Sequence, residues 1–293
     1  MNKKLAYNIT FHNQLEELKF HLDIILQWEC NKTAEFVLTS AHKENLFKIK
    51  DYCIANYPNS KFDYLHITKD YGYHLGTLFN VNEGIKYIKD NKEYDYLVNI
   101  EADNMFYDET KFLNLLSEME SNNKHLLIVD WVTRGSYLYT NYPNLPKYHA
   151  LTTLNIYSKY FIKNHYPLEY YNEIINLGWD NNIGTPFEDY LGIAFNKKHS
   201  LDVEEKILKY FSKWAYYLNY NILWKKTLNH GECIKNQINN ICCDEYLPQY
   251  TYFLHALIPD RFVKYGIVLF TKELETTKKF IEYYKPYLNI YEY

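Results

Sequence analysis

Short apolar runs and amphipathic stretches of helical period alternate through the first half of the chain. Residues 5–11 (LAYNITF), 35–39 (EFVLT), 64–68 (YLHIT) and 96–100 (YLVNI) are apolar runs of strand length. Between the first two lies NQLEELKFHLDIILQW, in which Leu15, Leu18, Leu22 and Ile25 fall on one side of a helix. The pattern predicts a second helix carrying Leu46, Ile49 and Ile54, and a third over about residues 78–88. Strand and helix repeating at this interval are what right-handed βαβ crossovers require. The expected fold is therefore α/β, a mostly parallel sheet sandwiched by helices.

Beyond residue 103 the rhythm loosens. ETKFLNLLSEMES predicts a helix, residues 126–132 a strand, and residues 151–156 a further apolar run. The turn-rich LGWDNNIGTPFEDYLG follows, and the remainder reads as mostly helical and aromatic. No internal repeat and no Gly-, Ser- or Pro-rich linker interrupts the chain. The expectation is a catalytic-type domain over 1–235, with 236–293 as a mostly helical C-terminal extension packed on it.

Composition narrows the function classes. An apolar share of 47% and a charged share of 23% belong to an ordinary globular chain. The 33 tyrosines are scattered along it, as codon bias from an AT-rich genome would leave them. A formal net charge of −4 speaks against a protein that coats nucleic acid, and clusters such as Lys197-Lys198-His199 and Lys225-Lys226 read as solvated surface. Five cysteines (Cys30, Cys53, Cys233, Cys242 and Cys243) form no C-x-x-C pair, so neither a disulfide framework nor a zinc knuckle is indicated. The opening residues lack the apolar core of a signal peptide, and no stretch reaches the roughly 18 apolar residues of a membrane span. The expected compartment is the cytoplasm, with the inner membrane surface, or a host's cytoplasm for a viral protein, as alternatives.

The chemistry concentrates where strands end. In an open parallel sheet, ligands sit beyond the carboxyl ends of the strands. The run 96–100 stops at Glu101-Ala102-Asp103, two acids spaced i, i+2 that share one side of an extended chain. Hard cations such as Mg²⁺ or Mn²⁺ take one or two carboxylates of this kind and complete their shell with water and phosphate oxygens. A turn begun at Asp103-Asn104, with Glu101 merely solvated, accounts for the same residues.

Taken together, the motifs resemble the GT-A glycosyltransferases, especially the family-2-like inverting enzymes that use nucleotide-sugar donors. The likeness extends over roughly residues 5–235. YNITFHNQLEEL is similar to the first strand and turn of that family, which implies that Thr10, Phe11, His12 and Asn13 hold the nucleobase and ribose. Ser40, after Thr39, stands where the family has a small polar residue near the base. DYGYHLGTLFNVNEGIKYI resembles the helix passing close to the donor, with Asp70, Gly72 and Gly76 at its distinctive positions. Glu-Ala-Asp stands where the family has D-x-D, implying Asp103 as metal ligand and Glu101 as a ribose or metal-shell contact. The longer glutamate is a departure from the pattern, and Asp103 carries more of the inference.

Two further elements follow from the resemblance. In GTPFEDYLGIAF, Glu188 and Asp189 match the acidic pair that supplies the catalytic base, with Asp189 as the base. Thr185, Pro186 and Glu188 also compose a helix-capping box, which explains Glu188 without any catalysis. His230, in LNHGECIKN, matches the histidine that completes the metal shell in many such enzymes. Trp131 and Trp179 are candidates to stack on a sugar, with core packing the plainer assignment. The expectation is thus a metal-dependent (Mn²⁺ or Mg²⁺), inverting glycosyltransferase. It would move a sugar from a nucleotide-sugar donor, UDP favoured, to a hydroxyl of a glycan acceptor. A modified base of phage or viral DNA is the alternative acceptor, and a non-catalytic binding module of the same fold the alternative class. A nucleotidyltransferase is disfavoured because TFHNQLEE holds no glycine and no basic residue.

Overall fold

In the computed structural model, the described residues are 3–68, 73–102, 104–128, 131–133, 148–150, 154–166, 207–209 and 267–269. Four strands open the chain: β1 (Leu5–Thr10), β2 (Glu35–Ser40), β3 (Lys61–His66) and β4 (Tyr96–Glu101). They alternate with α1 (Leu15–Ile25), α2 (Lys43–Asn56) and α3 (Tyr73–Asn91). Then come β5 (Asn104–Phe106), α4 (Glu109–Ser121), β6 (Leu126–Ile128), β7 (Trp131–Thr133), β8 (Tyr148–Ala150), β9 (Leu154–Ser158) and α5 (Lys159–Asn164). Two short strands, β10 (Ile207–Lys209) and β11 (Ile267–Leu269), lie further along.

Seven of these strands form one sheet in the order β10-β6-β9-β4-β1-β2-β3. Pairing is parallel throughout except at β9, which runs antiparallel to both β4 and β6. The chain steps outward from β1 to β2 to β3, then returns to lay β4 on the other side of β1. A right-handed crossover places its helix on one face when the chain steps one way and on the opposite face when it steps back. Accordingly α1 and α2 cover one face, α3 covers the other, and helices flank the sheet on both sides.

The two faces are built from alternate residues of the same strands. Leu5, Tyr7, Ile9 and Phe11 of the first strand join Phe36, Leu38, Val98 and Ile100 in the main hydrophobic core. Leu18, Leu22 and Ile25 of α1, Leu46 and Ile49 of α2, and Phe112 and Leu116 of α4 close over them. Aromatic rings dominate: Tyr7 stacks on Phe36 at 4.8 Å, and Phe112 meets Phe106 edge-on at 4.8 Å. The intervening residues Ala6, Asn8, Thr10, Val37, Thr39, Leu97 and Asn99 face α3 and are equally buried. Gly84 makes that contact possible, because a Cβ there would fall 2.0 Å from Asn8 Oδ1.

The α/β class and the mostly parallel sheet are as expected, but several details depart from the sequence pattern. The third strand lies at Lys61–His66 instead of 64–68; on this outer strand Lys61 is exposed and the other residues are partly buried, so the apolar signal is weak. The run 126–132 is two strands, β6 in the main sheet and β7 in a separate hairpin-like pair with β8. Ile54, expected on the buried side of α2, is 58% exposed, and Cys53 takes the inward position. Within 236–293, residues 267–269 form β11, antiparallel to β5, and the rest of that range lies outside the described residues.

Candidate functional site

The reversal of strand order between β1 and β4 defines the switch point of the sheet, and open α/β sheets bind ligands in the crevice at its carboxyl edge. Thr10 and Glu101 are the last residues of those two strands and are register partners. Thr39, near the end of β2, is the register partner of Thr10 on its other side. A row Thr39–Thr10–Glu101 therefore crosses three strands at the carboxyl edge, on the face that α3 covers. The ladder extends one residue past the strand ends: Phe11 N donates to Thr39 O at 3.1 Å, and Ala102 N to Thr10 O at 2.8 Å. The edge of the crevice is thus held by backbone hydrogen bonds.

The first of the expected donor contacts divide between this edge and the core. Thr10 is almost fully buried, while Phe11 points to the opposite face, where its ring is part of the hydrophobic core and not of the crevice. His12 is half-buried and meets His42 edge-to-face at 4.9 Å. Asn13 is exposed, and its side-chain oxygen accepts from Asn45 Nδ2, which also donates to His12 O at 2.8 Å. Gln14 folds back to accept from His12 N at 2.9 Å. Ser40 is fully buried, its hydroxyl accepting from His42 N at 3.1 Å. Gly76 is a buried residue in the first half of α3.

His42, Asn45 and His66 are the edge residues that the sequence pattern did not single out. His66 ends β3, and its Nε2 lies 3.2 Å from Ala41 O. For His42 and His66 the signal available was a polar residue within two positions of a strand's carboxyl end; Asn45, inside α2, carried none. Asp70, Gly72, Asp103, Glu188, Asp189, His230 and Trp179 lie outside the described residues, and only the backbone of Trp131 is described. Among the described residues there is no cluster of three or more His, Cys, Asp or Glu able to hold a metal. Of the expected ligand set, the half-buried Glu101 carboxylate is the described member, a hard oxygen donor of the kind Mg²⁺ and Mn²⁺ take.

The chain that leaves this edge is anchored on its far side. Phe106, in β5, donates its N–H to His21 Nε2 at 3.3 Å, and its ring is fully buried. His21 is itself fully buried, and desolvation lowers its pKa to about 3, so the ring is neutral and able to accept. One residue thereby ties α1 to the segment that follows Glu101 and Asp103. Among the described residues, no helix is long and apolar enough to cross a membrane.

No protein-family model matches this chain, and no curated protein is found to match it. Among solved structures it is similar to the mannosyltransferase PcManGT of Pyrobaculum calidifontis, solved with GDP-Man and Mn²⁺. That likeness has 11% identity and a TM-score of 0.45, over 98% of this chain and 76% of that one. Core-mannan synthase A (CmsA/Ktr4) of Aspergillus fumigatus is similar at 11% identity and a TM-score of 0.40, over 71% and 72%. HddC of Yersinia pseudotuberculosis is similar at 14% identity and a TM-score of 0.35, over 57% and 80%. Likeness at this level is one of outline, and it assigns neither donor nor reaction to this chain.

Proposed function

We propose that this chain is a divalent-metal-dependent glycosyltransferase that binds a nucleotide sugar, UDP favoured, in the crevice between the carboxyl ends of β1 and β4. The observation that carries the proposal is the register pairing of Thr10 with Glu101 across the switch point, beneath α3. The second acid, Asp103, follows two residues later. In this scheme Thr10, His12, Asn13 and Ser40 flank the base and ribose, with Asp70, Gly72 and Gly76 as further donor contacts. Glu101, Asp103 and His230 would hold the cation, which when bound offsets charge on the diphosphate. Asp189, with Glu188 beside it, accepts the proton of an acceptor hydroxyl. The hydroxyl oxygen bonds to the anomeric carbon, the bond from that carbon to the diphosphate oxygen breaks, and the nucleoside diphosphate leaves with inversion. A glycan hydroxyl is the proposed acceptor.

A thermal-shift panel of UDP- and GDP-sugars, each with and without Mn²⁺, tests the proposal. At least one donor should raise the melting temperature, and more so with metal, because a ligand bound only to the folded state stabilises it by mass action. Glu101→Gln should weaken the metal-dependent part of that shift. If no nucleotide sugar shifts the transition under either condition, the proposal fails.

A further inference from the structure

On the face that α3 covers, asparagines are stacked in register across three neighbouring strands. Asn8 of β1 is the partner of Asn99 of β4, and Asn99 is the partner of Asn155 of β9. All three are fully buried. The first half of this row is well satisfied: Thr39 Oγ1 donates to Asn8 Oδ1 at 3.2 Å. Asn8 Nδ2 in turn reaches both Asn99 Oδ1 at 2.8 Å and the α3 carbonyl of Val81 at 3.1 Å. The second half is not. Asn99 Nδ2, both polar atoms of the Asn155 amide and Asn82 Nδ2 of α3 make no well-formed hydrogen bond with the protein's own groups, the Tyr157 hydroxyl being a polar neighbour of Asn155 without bonding geometry.

These groups are neighbours. Asn155 lies beside the Tyr157 hydroxyl, whose proton affinity burial raises and the asparagine partly offsets. The Tyr157 ring meets Tyr166 edge-on at 5.4 Å, and the Tyr166 hydroxyl donates to Asn82 Oδ1 at 2.6 Å. Donors and acceptors thus recur along the seam where α3 lies over β4 and β9. A buried amide group without a partner loses its hydration uncompensated, so several together are not left dry. Buried water bridges such groups, typically with 2–4 polar contacts each.

We propose that Asn82, Asn99, Asn155 and Tyr157 form an internal hydration site holding one or two ordered water molecules. The water completes a polar spine running from Thr39 through Asn8 and Asn99 to β9. An apolar contact permits a helix to slide; a chain of directional bonds admits one position. The site therefore sets where α3 rests on the sheet, directly behind Glu101, the next residue on the same side of β4 after Asn99. This holds whatever ligand the crevice takes.

A high-resolution crystal structure of the unsubstituted protein should show a density peak within hydrogen-bond distance of at least two of these four side chains. Direct Asn99–Asn155 amide bonding with no water there would overturn the proposal. Two variants of nearly equal shape read the same question in solution. The Asn155→Thr variant should melt higher than the Asn155→Val variant by roughly 2 °C or more, since only threonine offers the water a hydroxyl. If the valine variant melts higher, the spot is dry and the inference is wrong.

Discussion

The two faces of the central sheet are made from the same strands and are equally buried, yet they are held by different chemistry. Under α1, α2 and α4 the contacts are aromatic and aliphatic: Tyr7, Phe36, Phe106 and Phe112 interlock with leucines and isoleucines. Under α3 they include Asn8, Asn99 and Thr39, joined by hydrogen bonds. Apolar packing has magnitude without direction, whereas hydrogen bonds between amides have direction at smaller net magnitude. The apolar face therefore supplies most of the stability, and the polar face fixes position next to the crevice. Removal of a ring from the first should cost more than any change to the second.

Phe112→Ala sets the upper mark. Its ring is fully buried against Tyr7, Trp28 and Phe106, and truncation should destabilise by about 3–5 kcal/mol in urea unfolding. Gly84→Ala comes next, at roughly 2–4 kcal/mol, because the added methyl displaces Asn8 from its bonds to Thr39, Val81 and Asn99. If that mechanism is right, Asn8→Ala in the same chain will recover part of the loss, and the double variant will be more stable than the sum of the singles. Strict additivity would mean that Asn8 is not the group Gly84 makes room for.

His21 is a buried titratable residue on the apolar side, and pH isolates it. Its folded pKa of about 3 lies below the ordinary 6.5, so between those values the unfolded chain binds a proton that the folded one refuses. Its contribution is fully present above about pH 6.5 and is lost as pH falls toward 3, at about 1.4 kcal/mol per pH unit. Between pH 7 and pH 5 that amounts to about 2 kcal/mol. His21→Gln should flatten the acid limb of the stability profile by about that much. Parallel profiles for the two proteins would show that His21 is not the titrating group.

The strands β1, β2 and β4 were legible because their apolar runs are continuous and buried on both faces, and α1 because its stripe is regular. That Thr10 and Glu101 lie at strand ends could be read from where their apolar runs stop, although their pairing could not. The antiparallel sense of β9 was not legible, since an apolar run carries no direction. Nor were His42 and His66 found, because polar residues just past a strand are commonplace and only pairing order shows which edges meet. Phe11 was misjudged for a related reason: it adjoins Thr10 in sequence, but neighbours on an extended chain point to opposite faces.

The same geometry explains the smallest expected effect. Leu46, Ile49 and Cys53 are spaced by three and four residues and line up on the buried side of α2. Position 54 is one residue further, about a quarter turn around the helix, and Ile54 is accordingly exposed. Ile54→Ala removes little buried surface and replaces a β-branched residue by the best helix former, so stability should change by no more than about 0.5 kcal/mol, in the favourable direction. Ile49→Ala, five positions earlier and fully buried, should cost about 2–5 kcal/mol by the same measurement. A large loss at Ile54 would mean that this side of α2 is covered in solution, and the apolar layer would then extend beyond the face described here.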